Sequence, residues 1–129
     1  MRKLFVLLLI VSPLLVLSQK GEVTLPSGLV IADNDEYGLF TWWEAKEKCE
    51  KKGKGWSLPN NEELKEIYQN KDTINGFKEG WFWSITEDTH GLCIFSETNG
   101  YSWNIISTTG TFVSNHRSYR IKARCVKHY

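Results

Sequence analysis

No sustained excess of charge marks this chain. Sixteen basic residues face fifteen acidic ones, a formal net charge of +1, and a near-neutral protein lacks the broad positive field that bulk nucleic-acid binding needs. There is no Gly-x-Ser-x-Gly elbow, and the carboxylates fall in no recognised acid–base motif. Neither an activated nucleophile nor a positioned acid and base is therefore legible. Histidine is scarce too. His116 and His128 have no helical i,i+4 partner, and His90 is joined only by Cys93, whereas zinc takes three or four ligands in a tight set. The expectation is no metal and no cofactor. No internal repeat or low-complexity linker divides the sequence, which argues for a single domain.

Only one long apolar run is present, and it lies at the N-terminus. Met1-Arg2-Lys3 is a short basic start, and Leu4 to Leu17 is apolar apart from Ser12 and Pro13. Fourteen residues at about 1.5 Å each reach about 21 Å, short of the roughly 30 Å hydrocarbon core. Val16 and Ser18 suit the small-residue subsites of a signal peptidase, so residues 1–18 read as a cleaved signal peptide. No cysteine follows at the cleavage point to carry a lipid, so no stable membrane anchor is expected. Residues 19–129 then form the domain. Without Arg2 and Lys3, fourteen basic residues face fifteen acidic ones, a net charge of −1.

The cysteines are three: Cys49, Cys93 and Cys125. Cys49 lies in Thr41–Cys49, which reads as a helix. Thr41 and Glu44 form a capping box, Trp42, Ala45 and Cys49 share a face, and Gly53 ends the helix. Glu44→Lys48 and Glu47→Lys51 are spaced for i,i+4 pairs, so the charge run is a solvated face. Cys125 lies in Tyr119–Val126, which reads as the last strand, with Ile121, Ala123 and Cys125 inward and Arg120, Lys122 and Arg124 outward. A Cys49–Cys125 bridge would tie the first helix to the chain's end. Such a staple suits a small exported domain and closes a loop worth roughly 4 kcal/mol. Cys93 is left as a buried strand thiol, with an intermolecular disulfide as the alternative.

Between the cysteines, Gly28–Ile31 is a short strand and Asp33–Glu36 an acidic loop. A second helix opens at Asn60, boxed with Glu63, and shows Leu64, Ile67 and Tyr68 as its apolar stripe. Trp81–Thr86 alternates as a strand with Trp81, Trp83 and Ile85 on one side. Leu92–Ser96 and Tyr101–Ile106 flank Asn99-Gly100, a type I′ hairpin signal. Two helices followed by a mostly antiparallel twisted sheet make an α+β domain.

These segments carry a resemblance. Trp43-x-Ala45-x-x-x-Cys49, Gly55-Trp56-Ser57-Leu58-Pro59-x-x-Glu62-Glu63-Leu64, Trp83-Ser84-x-Thr86-Glu87 and Ala123-Arg124-Cys125-Val126 follow one order. The order resembles the C-terminal domain of Legionella-type collagen-like adhesins and the Fibrobacter succinogenes major paralogous domain. The resemblance spans Gly21 to Val126, with Ser57 standing where the family usually has Arg. It implies a C-type-lectin-like fold with the first helix disulfide-bonded to the last strand. It also implies export to the periplasm, bacterial surface or medium, and adhesion, including binding of sulfated glycans. Calcium-dependent lectins of that fold carry Glu-Pro-Asn or Gln-Pro-Asp in a long loop, plus Trp-Asn-Asp. Here Leu58-Pro59-Asn60 precedes a helix and Trp103-Asn104 is followed by Ile105, so both signatures fail.

The ligand candidates cluster in the second half. Tyr101, Trp103, Asn104, His116, Arg117 and Tyr119 mix aromatic, amide and basic side chains around turns, a combination that gives contact area at low entropy cost. From Ser114 to Tyr129 there are basic residues and no acidic one. On an outward strand face, Arg120, Lys122 and Arg124 would line up for sulfates or carboxylates. The opposing reading is that the aromatics are core and the charges merely solvated. The expected function is a non-catalytic binding module for an anionic glycan or a surface protein. A structural or assembly subunit of the cell surface is the alternative, and a carbohydrate-active hydrolase stands third.

Overall fold

A computed structural model describes residues 22–88 and 100–128. The signal-peptide segment, the Leu92–Ser96 strand, His90 and Cys93 lie outside the described residues. In chain order the elements are β1 (Glu22–Thr24), β2 (Val30–Ala32), α1 (Trp42–Glu50), β3 (Trp56–Ser57), α2 (Asn61–Gln69), a single 3-10 turn (Lys71–Thr73), β4 (Trp81–Asp88), β5 (Tyr101–Ile106), β6 (Phe112–His116) and β7 (Val126–Lys127). They build two antiparallel sheets, ordered β1-β2-β7-β3 and β4-β5-β6.

Both helices start where their caps dictate. Thr41 and Asn60 each accept from the N3 backbone N–H, and Glu44 and Glu63 reach back to the cap N–H. Two orphan donors are thereby satisfied at each helix start. α1 buries Trp42, Ala45 and Cys49, and α2 buries Leu64 and Ile67. The wet face of α1 carries the pairs Lys46–Glu50 and Lys51–Glu47. Glu44, expected to pair with Lys48, instead meets Arg120 at 3.1 Å.

The core has two halves. Leu64, Ile67, Phe77, Phe82 and Ile105 form one, between α2 and the second sheet. Trp42, Ala45, Leu58, Trp83 and Ala123 form the other, around the Cys49–Cys125 disulfide. Its Cα atoms are 5.4 Å apart.

Two expectations change. In β4, Phe82, Trp83 and Ser84 are all buried while Trp81 is exposed, so the strand is covered on both faces and its in–out alternation is lost. Phe82 belongs to one half-core and Trp83 to the other. β5 pairs with β4 on one edge and β6 on the other, while the expected Leu92–Ser96 arm of its hairpin lies outside the described residues. The last strand is shorter than its alternation suggests. Only Val126–Lys127 joins a sheet ladder, preceded by single bridges of Ile121 to Phe40 and Lys122 to Phe82. Between them the chain crosses from one sheet to the other, bonded through Ala123 O and Cys125 O to the N–H groups of Glu36 and Ala32.

Candidate functional site

That crossing overturns the basic strand face. Arg124 has 0% exposure. Its Nε and Nη2 donate to Ala32 O at 3.0 and 2.7 Å, and its Nη1 donates to Asp35 Oδ1 at 2.9 Å and Asn75 O at 2.6 Å. Asp35 in turn accepts from the Phe77 N–H. Arg124 points inward because the segment is walled on both sides, and the carbonyls and carboxylate around it replace water. Burial pushes its pKa below the ordinary guanidinium value, while the Asp35 hydrogen bond and charge oppose that shift. Arg120 is exposed and paired with Glu44, and Lys122 Nζ donates to Glu79 O at 2.6 Å. The three cations form no common row.

Arg117 is also inside, at 7% exposure. Its Nε donates to Ser102 Oγ at 2.9 Å, its Nη2 pairs with Glu87, and its guanidinium lies 4.4 Å from the Trp42 ring centroid. Trp42 Nε1 donates to Ser84 O and its N–H to Arg117 O. This stack ties α1 to the second sheet, and a desolvated cation on an indole face is worth up to about 2 kcal/mol. Arg117 is a structural cation, not a free ligand contact.

The remaining predicted residues separate. Tyr101 and His116 meet edge to face, 5.4 Å apart, across the β5–β6 pair. His116 Nδ1 also lies 2.7 Å from Ser118 Oγ. Trp103 is half-buried on β5, and Tyr119 is exposed in the turn after β6. Asn104 is fully buried, and among the described residues neither its amide nitrogen nor its amide oxygen has a partner.

Among the described residues, the most exposed apolar side chains are elsewhere. Tyr37 is 98% and Leu39 55% exposed, on the segment that leads into α1 and is held by the Phe40–Ile121 bridge. This short ridge separates two clefts. One, of about 400 Å³, is lined by Leu39, Phe40, Glu44, Lys48, Lys51 and Arg120 among others. The other, of about 370 Å³, is lined by Asn34, Asp35, Glu36, Tyr37, Gly38 and Lys122. Gly38 lies between Tyr37 and Leu39 with φ +109°, a region that side chains rarely enter. The ridge's sequence signal is Tyr-Gly-Leu just before a capped helix, outside the second half where the aromatic and basic candidates cluster. Among the described residues no group of three His, Cys, Asp or Glu side chains is placed to hold a metal.

Two capped helices, two antiparallel sheets and a disulfide from the first helix to the chain's last segment define a C-type-lectin-like domain. EMS16, described as an antagonist of the collagen receptor integrin α2β1, superposes with TM-score 0.57 at 13% identity. The match covers 83% of this chain and 96% of EMS16. A chain of the complex between a mutant von Willebrand factor A1 domain and botrocetin superposes with TM-score 0.59 at 13% identity, covering 84% of this chain and 97% of that one. No protein-family model and no curated protein matches the sequence. The likeness extends to the fold and not to the adhesin family suggested by the motifs.

Proposed function

We propose that this protein is an exported, non-catalytic binding module that recognises the surface of another protein. The observation that carries this reading is the Tyr37–Leu39 ridge. Large apolar side chains held in solvent between two clefts with charged walls match the apolar centre and polar rim of a protein-binding patch. Two structural neighbours support it, since one is described as a receptor antagonist and the other is a chain of a complex between a von Willebrand factor A1 domain and botrocetin. The disulfide favours an oxidising compartment, in keeping with the expected signal peptide.

A second reading rests on the Tyr101–His116 pair, which would stack against a sugar ring beside Trp103. The anionic-glycan form of that reading weakens with Arg117 and Arg124 both buried. Parallel arrays of extracellular proteins and of glycans, probed with purified protein, test the two. Binding to a protein target that is lost in the Tyr37→Ser/Leu39→Ser variant and kept in the Tyr101→Ala variant supports the ridge. Binding only to glycans, lost in Tyr101→Ala, replaces that reading with the second one.

A further inference from the structure

The loop before β4 sets two unpartnered groups side by side. Asn75 is exposed, and Gly76 follows it in the bend between the 3-10 turn and the strand. Among the described residues, neither the Asn75 side-chain amide nor the Gly76 N–H makes a hydrogen bond. The carbonyl of the peptide that joins the two residues accepts from Arg124 Nη1 at 2.6 Å. A cation on that oxygen draws electrons from the peptide and favours loss of the proton on its nitrogen, the Gly76 N–H. The nearby Asp35 carboxylate opposes this little, because its charge is matched by Arg124 and its oxygens accept from the Phe77 N–H.

The fold also fixes which residue follows Asn75. Gly76 has φ +74°, and a Cβ there would lie 2.8 Å from Asp35 Oδ1 and 2.9 Å from Asp35 Oδ2. A larger residue would be strained in that conformation and would press on the Arg124–Asp35 pair. Glycine is also the successor that shields an asparagine amide least from its own backbone. The lock around Arg124 therefore demands the residue that leaves Asn75 open to attack.

We propose that Asn75 is a site of spontaneous modification that slowly loosens the Arg124–Asp35 lock. The Gly76 nitrogen gives its proton to water and attacks Asn75 Cγ. A nitrogen–carbon bond forms, the bond from Cγ to the amide nitrogen breaks, and that nitrogen takes up a proton and leaves as ammonia. One water molecule then opens the cyclic imide at either carbonyl, giving aspartate or isoaspartate. Opening at the former main-chain carbonyl sends the backbone through the side chain and lengthens it by one methylene. Gly76, packed against Asp35, and the Phe77 N–H that Asp35 accepts are then displaced, and the Asn75 carbonyl no longer holds Arg124 as a fixed peptide oxygen. The proposal is independent of what the Tyr37–Leu39 ridge binds.

The test uses purified protein carrying Asn99→Gln, which removes the other Asn-Gly of the chain. Folded protein and an aliquot kept in urea are incubated in parallel, and peptide mapping separates asparagine, aspartate and isoaspartate. Asn75 should convert at least as fast in the folded protein as in urea, where the Arg124 contact is lost. Asn75→Gln, which would have to close a larger ring, should stay unmodified. The isoaspartate form should unfold at lower urea concentration than the Asn75→Asp variant, which carries the same charge without the added methylene. An Asn75 that persists in the folded protein while converting in urea overturns the proposal, since the fold then protects it. So does ammonia release that Asn75→Gln leaves unchanged, or an isoaspartate form whose unfolding midpoint equals that of Asn75→Asp.

Discussion

Arg124 and Asp35 form an ion pair, 2.9 Å apart, in which the cation has no exposed surface. The pair joins the end of the chain to the loop after β2 and, through Asn75 O and the Phe77 N–H, to the loop before β4. Asp35→Ala should strand a buried guanidinium and cost about 3–5 kcal/mol. Arg120→Ser and Lys122→Ser, at more exposed positions, should each cost under about 0.5 kcal/mol. Urea unfolding of the three variants checks this, and equal losses would show that Arg124 is not the buried member.

Cys49→Ala should destabilise the protein by about 2–5 kcal/mol, because the bridge closes 76 residues of sequence separation. Thermal unfolding of wild type with and without a reductant should reproduce the same loss. Peptide mapping after thiol labelling should find Cys49 and Cys125 joined and Cys93 labelled.

Acid should loosen the start of α1. The backbone hydrogen bond from Thr41 is the main influence holding Glu44 below its ordinary value of 4.5, and Arg120 adds to it. A carboxyl whose folded pKa is depressed stabilises the fold above its unfolded pKa, and that contribution fades as pH falls through the folded value. Wild-type stability should therefore drop below about pH 4.5 by more than that of Glu44→Gln, measured as midpoints of denaturant unfolding along a pH series. Parallel curves would remove Glu44 from the acid response.

Gly55→Ala should be among the costliest glycine replacements. Gly55 has φ +89°, and a Cβ there would lie 2.3 Å from His128 O. His128 N–H also donates to Gly55 O at 2.7 Å, so neither strand can give way without losing a bond. A loss of about 1–3 kcal/mol is expected from the backbone conformation alone. Gly28→Ala has a comparable φ but open space around it and should cost less in the same unfolding assay.

Much of the fold was legible because its signals are local. Capping boxes at Thr41 and Asn60 need only four consecutive residues, and helix faces repeat within seven. The α+β class followed from two helices ahead of the strands, and placing Cys49 and Cys125 on a helix and near the chain's end was enough to suggest their bridge. β1 and β6 escaped notice. β1 is only three residues long, and β6 mixes Phe112 and Val113 with Ser114, Asn115 and His116 at uniform partial burial, leaving no alternation to read.

The sequence by itself determined the caps, the helix stripes, the disulfide partners and the inward set Ile121, Ala123 and Cys125. The tertiary structure decided which charges are free. Alternation assigns a side chain to one of two faces of a strand, but it cannot say whether the second face meets water. Around Arg124 that face meets Ala32, Asp35 and Asn75, and around Arg117 it meets Trp42, Ser102 and Glu87. These contacts come from segments up to 92 residues away in sequence. Burial depends on which distant segment covers a face, so residues that look like a basic patch in the sequence became the ion pairs that hold this domain together.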